Sequence, residues 1–354
     1  MMRAVLLSFF LAACSTGQNK SNERDLPLQK AAHYKEVVCF VYHRFGDNRF
    51  PSTNISIDDF KAHLQWLADN DYQVLNLSDA LDYLYNEMPS KKTAVITIDD
   101  GYKSFLQNGL PLLNQFNFSA TLFINTETVG GGDYLNWQEL NEVVSRNIEI
   151  GNHTHTHDYF LNKPIDTRYI DFEKDVTEAQ ALIKKHLNVQ PKVFAYPYGE
   201  FDKPMSDIIQ SLGFKGAAAQ NSGVMNNLTS NYQIPRFPMS ESYAKMFEDK
   251  AKMESLRVLK KSPDSNLAPI EKDQPVLNLT LDTRGLKVKQ LQCFAQGGDC
   301  TLAVVETSAN EMVVELQSTH AISQRRRTLY TLTAPDSAGN WHWFSHLWVN
   351  PSVK

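Results

Sequence analysis

Cysteine is scarce in this chain, with four in 354 residues. So few cannot replace a core with disulfides, and the 42% of hydrophobic residues must bury an ordinary one. An excess of positive charge is missing too. The net charge of -5 gives no electrostatic reason to expect nucleic acid as a partner. No repeat or low-complexity tract stands out. The apolar run Ala4 to Ala13, after Arg3, is too short to span a bilayer and fits a signal-peptide core. The length favours two domains.

Each cysteine has its own reading. Leu11-Ala12-Ala13-Cys14 looks like a bacterial lipobox, in which Cys14 becomes the lipidated first residue. The alternative is an ordinary cleaved signal with an incidental cysteine. Lipid on Cys14 would make the membrane a partner through acyl chains rather than a helix. The expected location is the bacterial cell envelope, and Ser15 resembles an outer-membrane sorting residue. Residues 15–35 are polar and read as a tether. Cys293 and Cys300 bracket a turn-like insert, where an exported protein permits a disulfide. Cys39 lies in an apolar run and reads as a small buried hydrophobe.

From 36 to 245 short apolar runs alternate with amphipathic stretches. Val37–Tyr42, Gln73–Leu77, Thr93–Ile98, Ala120–Ile124, Ile148–Ile150 and Val193–Tyr196 read as strands. Phe60–Asn70, capped by Ser56 or Asp58, Ser78–Asn86 and Tyr169–Leu187 read as helices. Such alternation predicts an α/β domain with a parallel sheet. Residues 246–275 are charged and contain Ser262-Pro263 and Ala268-Pro269, and they read as a helical stretch followed by a linker. From 276 to 354 short alternating strands predict a small β-sandwich.

Two strand ends carry the chemistry. Thr93–Ile98 runs into Asp99-Asp100-Gly101. Ile148–Ile150 runs into Gly151-Asn152-His153-Thr154-His155-Thr156-His157. One end offers carboxylate and the other imidazole, a ligand set for a divalent metal, with Zn2+ the expected ion. His153 and His157, four apart, would share one face of a helical turn, and Asp100 would complete the triad. The alternative is a solvent-exposed histidine-rich loop. His155 would point elsewhere on a helix, but becomes a possible ligand if the segment is extended. Asp99 is left over beside the ligand carboxylate, where a hydrolase needs a group to activate water.

Three motifs resemble those of the metal-dependent polysaccharide deacetylases, the NodB-homology group of carbohydrate esterase family four. They are Thr97-Ile98-Asp99-Asp100-Gly101, His153-Thr154-His155-Thr156-His157 and Ala195-Tyr196-Pro197-Tyr198-Gly199. Phe40-Val41-Tyr42-His43 and Ile55-Ser56-Ile57-Asp58-Asp59-Phe60 look like the opening of the subgroup acting on poly-N-acetylglucosamine. The resemblance covers roughly residues 36–240. It implies a distorted (β/α) barrel, often of seven strands, with the site at the C-terminal ends. It also implies N-deacetylation of a polysaccharide, with Asp99 as general base and the Tyr198 N–H as oxyanion donor.

Two elements of that pattern are missing. Ala195 stands where many relatives carry the arginine that orients the base, and Arg236 is a candidate substitute from another strand. No late Leu-x-His motif supplies an acid for the leaving amine. His43, at the end of the first strand, is a candidate acid or orienter, or else a hydrogen-bonded core histidine. Competing readings are an O-acetyl esterase on xylan-like polymer using the same site, a non-haem iron oxygenase, and a glycan-binding protein with a weak or dead site. Trp341, Trp343 and Trp348 read as core rather than as a sugar platform. Gly130-Gly131-Gly132 reads as a lid or a plain turn, and Arg325-Arg326-Arg327 as a solvated turn.

Overall fold

The computed structural model describes residues 34–269 and 273–353. The signal-like run, Cys14 and the tether up to residue 33 lie outside the described residues. No helix among the described residues is long and apolar enough to cross a membrane.

Six parallel strands lie side by side in the order Glu36–Tyr42, Thr93–Ile98, Ala120–Ile124, Ile148–Asn152, Val193–Ala195 and Gly216–Ala218. Gln73–Leu75 pairs with the first half of Thr93–Ile98, and Ala120–Ile124 with its last two residues. The next segment curls the sheet towards closure. Ile234 bridges Ala218 at one edge, and Phe237–Pro238 pairs with Phe40 and Val41 at the other. Val224–Asn226 runs antiparallel along Glu36–Val38. The result is the parallel sheet that the alternation of strands and helices predicts, curled into the distorted barrel that the family resemblance implies.

Side-chain alternation divides the core. Phe40, Tyr42, Ile96, Ile98 and Leu122 pack outward against Phe60, Leu64 and Leu67 of helix Ile57–Asp69. That helix starts at Ser56, whose side chain accepts from the Asp59 N–H, with Asp58 and Asp59 in its first turn. Val37, Cys39, Val95, Phe123 and Ala195 form the other cluster, joined by Leu77, Ala80, Leu81 and Leu84 of helix Leu77–Tyr85. Cys39 is fully buried there as a small hydrophobe.

The C-terminal part is two four-stranded sheets face to face. One carries Glu254–Ser255, Trp341–Val349, Arg327–Pro335 and Gln292–Ala295. The other carries Val258–Ser262, Val276–Asp282, Glu311–Ser318 and Cys300–Thr307. Leu277, Leu279, Val314, Leu316, Leu332 and Trp348 fill the space between them. The disulfide Cys293–Cys300 joins one sheet to the other.

The stretch expected as helix and linker over 246–275 is more ordered than its charge suggests. Helix Phe247–Ala251 seals the barrel core with Phe247 and Ala251, and strands Glu254–Ser255 and Val258–Ser262 already belong to the sandwich. The sandwich also docks on the barrel. Leu347 and Val349 join the cluster of Phe172, Phe194 and Phe214, while Trp343 meets Phe237 and donates to Ser222 Oγ at 3.0 Å. Trp348 is core and only Trp341 is exposed, so the three tryptophans form no common platform.

Candidate active site and metal centre

Asp99 follows the strand Thr93–Ile98 and is wholly buried. Arg236 grips it with two parallel hydrogen bonds, Nη1 to Oδ1 at 2.7 Å and Nη2 to Oδ2 at 2.9 Å. Arg236 is itself fixed, donating from Nε to the Ala219 carbonyl at 2.8 Å and from Nη1 to Thr97 Oγ1 at 3.0 Å. The guanidinium missing at Ala195 thus arrives from the segment that curls the sheet. Burial pushes the Asp99 carboxyl up, but the charge and the paired hydrogen bonds of Arg236 outweigh it and leave it at about 2. Asp99 is therefore ionised at neutral pH.

Asp100 turns away from its neighbour because its backbone is left-handed, with φ 74°, followed by Gly101 at φ 76°. Its Oδ1 lies 3.6 Å from His153 Nε2 and 3.6 Å from His157 Nε2, and the two Nε2 atoms are 3.1 Å apart. Donors at tetrahedral angles about 2.0–2.1 Å from one zinc ion would be separated by roughly 3.3 Å. The triangle fits a single ion of that kind. His153 Nδ1 donates to the Ala195 carbonyl at 2.7 Å, which leaves its Nε2 lone pair facing the triangle. Burial above all lowers His157 to about 4, so its imidazole is neutral at pH 7.

The histidine segment is not the helical turn expected from the four-residue spacing. Thr154 and His157 have φ of 70° and 56°, and the chain forms a tight loop instead. Asn152 Oδ1 accepts from the Thr154 N–H at 2.8 Å, and Thr154 Oγ1 from the His157 N–H at 3.0 Å. Asp175, on helix Ile165–Leu187, accepts from the N–H groups of His155 and Thr156 and from the Thr156 hydroxyl. His155 bonds Thr126 Oγ1 at 2.8 Å and stands 3.7 Å from Glu178, outside the triangle. Sequence reasoning missed Asn152 and Asp175, because a helix acid and a strand-end amide carry no motif of their own.

The third motif ends its strand in the turn Pro197–Gly199. Tyr198 is left-handed at φ 57°, a placement costing roughly 1–2 kcal/mol for a residue with a Cβ. Gly199, at φ 69°, lies so close to Gln220 that a Cβ would come within 2.7 Å of its backbone nitrogen. The Tyr198 ring stands edge-on to His157 at 4.6 Å and lies flat on Tyr159 at 3.8 Å. Burial, then Tyr159, push its hydroxyl up, so it stays protonated. His43 is half-buried after the first strand, within electrostatic reach of both Asp99 and His157. The glycine loop is tied down rather than loose. Leu135 N–H donates to the Gly101 carbonyl, Lys103 N–H to the Asp133 carbonyl, and Tyr134 stacks on Tyr102. The arginine run is solvated only in part: Arg325 is exposed, whereas Arg326 is nearly buried against Glu200.

A family model described as "Polysaccharide deacetylase" matches residues 86–217, the span holding Asp99, Asp100, His153, His157 and Tyr198. The chain carries a polysaccharide deacetylase domain. It is similar to the poly-beta-1,6-N-acetyl-D-glucosamine N-deacetylase of Staphylococcus aureus, 26% identical over 213 residues, covering 57% of this chain and 73% of that one. Among solved structures it is similar to IcaB from Ammonifex degensii, with TM-score 0.53 and 24% identity over 61% of this chain and 97% of that one. It is also similar to the Streptococcus pyogenes deacetylase PplD in complex with acetate, with TM-score 0.54 and 20% identity over 58% of this chain and 93% of that one. At these identities the structural likeness speaks to the deacetylase fold. Arg236 and His43 lie outside the residues that the family model matches.

Among the described residues a second group, Glu254, Asp336 and His342, also brings donor atoms together. It belongs to the sandwich, not to the strand ends of the deacetylase domain, and its His342 Nε2 lies 3.4 Å from Glu254.

Proposed function

We propose that this chain is a divalent-metal-dependent polysaccharide N-deacetylase that releases acetate from N-acetylglucosamine polymer at the cell envelope. The observation that carries the reading is an ionised, arginine-held Asp99 beside the Asp100–His153–His157 triangle. A divalent ion held by that triad would supply Lewis acidity, polarising the acetamide carbonyl and acidifying water. Asp99 takes the proton of the attacking water as the new C–O bond forms, and Arg236 keeps its oxygens aimed. The Tyr198 N–H stabilises the oxyanion that develops on the carbonyl. His43 delivers a proton to the nitrogen as the C–N bond breaks, which leaves acetate and a free amine on the sugar. An acetamide is a poor electrophile with a poor leaving group, so both the base and the proton donor count.

The similarity to proteins named for poly-beta-1,6-N-acetyl-D-glucosamine supports that polymer as substrate. Purified protein should release acetate from β-1,6-linked N-acetylglucosamine oligomers, lose that activity to a chelator and regain it with Zn2+. Faster release from acetylxylan would favour an O-acetyl esterase. Binding of metal and oligomer without acetate would favour a glycan-binding protein. The envelope location rests on lipid at Cys14. Cys14→Ser should move the protein out of the membrane fraction, and unchanged fractionation with no lipid mass on Cys14 would defeat that part.

A further inference from the structure

We infer that the β-sandwich completes the active site, with Arg326 and Arg327 clamping the Pro197–Gly199 turn and so fixing Tyr198 against His157. This rests on the deacetylase reading above. Strand Arg327–Pro335 of the sandwich begins at this turn. Arg327 Nη1 donates to the Tyr198 carbonyl at 3.1 Å. Arg326 grips the buried Glu200, two residues further on, with Nε to Oε1 and Nη2 to Oε2 both at 2.7 Å. Its guanidinium also lies over the Tyr159 ring at 4.2 Å, and Tyr159 lies flat on Tyr198. The remaining donors of Arg326 go to Asn162 Oδ1 and the Val353 carbonyl, so the grip is built from several elements.

The contacts form a chain from the sandwich to the metal-ligating triangle. Arg327 holds the turn's main chain, and Arg326 holds its exit and the ring beneath it. Tyr198, between them, touches His157. A tyrosine keeps a left-handed backbone only where its surroundings over-determine it. Two of the main restraints here come from the other domain. Arg326 and Arg327 reach no reacting atom, so they are positioning residues, acting through Tyr198 on the oxyanion donor and on His157.

The test is Arg327→Ala and Arg326→Ala, each beside its lysine variant, in the full chain. Arg327→Ala should lower kcat about tenfold, a displacement effect, while KM, metal stoichiometry and Tm hold. Arg327→Lys should recover most of the loss, because one donor to a carbonyl suffices. Arg326→Lys should recover less, because a lysine cannot form the paired bonds to Glu200. In Co2+-loaded protein the visible absorption band should shift in Arg327→Ala and return in Arg327→Lys. Wild-type kcat and an unshifted band in both alanine variants would overturn the inference. So would activity lost only in step with Tm and not restored by lysine, the mark of a merely structural contact. If the wild type itself releases no acetate, the deacetylase reading fails, and the cobalt spectrum alone still decides the clamp.

Discussion

The barrel and the sandwich treat buried polar groups differently. At the barrel's strand ends Asp99 is paired with Arg236 and His153 with the Ala195 carbonyl, while Asn125 Oδ1, after strand Ala120–Ile124, is the one side-chain atom there buried without a partner among the described residues. The sandwich leaves Thr328 Oγ1, Trp348 Nε1 and His346 Nε2 buried without a hydrogen-bond partner, and it has a disulfide between its sheets. Buried polar atoms left unpaired cost of order 1–3 kcal/mol each, and a charged pair once built is costly to break. The barrel therefore concentrates its polar groups where they act on a ligand. The sandwich tolerates local losses because apolar packing and a covalent staple hold it.

The largest test of that contrast is at the base. Asp99→Asn should lower kcat by about 10²–10⁴ while bound metal stays, as measured by steady-state rates and metal analysis. Asp100→Ala, His153→Ala and His157→Ala should lose metal and activity together, and His155→Ala should do less. If Asp99→Asn lost metal while Asp100→Ala kept it, the roles of the pair would be reversed. Next comes Arg236→Ala, which strands a buried carboxylate. It should cost about 3–5 kcal/mol in denaturant unfolding, and a cost under 1 kcal/mol would show that Asp99 needs no partner.

In the sandwich the expected effects are smaller. Replacing Cys293 and Cys300 by serine should cost about 2–3 kcal/mol, the loop entropy of so short a ring, and leave metal stoichiometry unchanged. Loss of metal in that variant would mean that the two regions are less separable than their polar groups suggest. The smallest effect is at the junction. Burial, then Lys261, hold His346 well below its ordinary value. The native state therefore refuses a proton that the unfolded chain accepts, and stability should fall as pH drops below about 6.5. His346→Gln should flatten that slope, and an unchanged slope between pH 7 and 5 would assign it to other groups.

Legibility followed locality. Asp99, Asp100, His153 and His157 stood out because each pair sits at the end of an apolar strand, and the strands Thr93–Ile98 and Ala120–Ile124 fell where the apolar runs placed them. The helical reading of 153–157 failed because nothing in its composition signals the left-handed Thr154 and His157, which the distant Asp175 makes affordable. Arg236 could be named as a candidate only, since its pairing with Asp99 spans 137 residues. The linker reading of 246–275 failed at Val258–Ser262. There the exposed Lys260 marks an edge strand, where charge discourages further pairing, while Lys261 turns back to Gln233 Oε1 at 3.1 Å, so the charged segment reads as a loop.

The curling segment at residues 234–238 also limits how the enzyme can be taken apart. A fragment cut at residue 217, where the family match ends, would keep the motif residues Asp99, Asp100, His153, His157 and Tyr198. It would lack the guanidinium that faces Asp99 and the strand that pairs with Phe40 and Val41. An open sheet edge and an orphaned carboxylate would be created by one cut. The shortest autonomous catalyst that protein engineering can extract therefore ends beyond Pro238, and a graft of the motif-bearing span alone onto another scaffold must bring its own arginine.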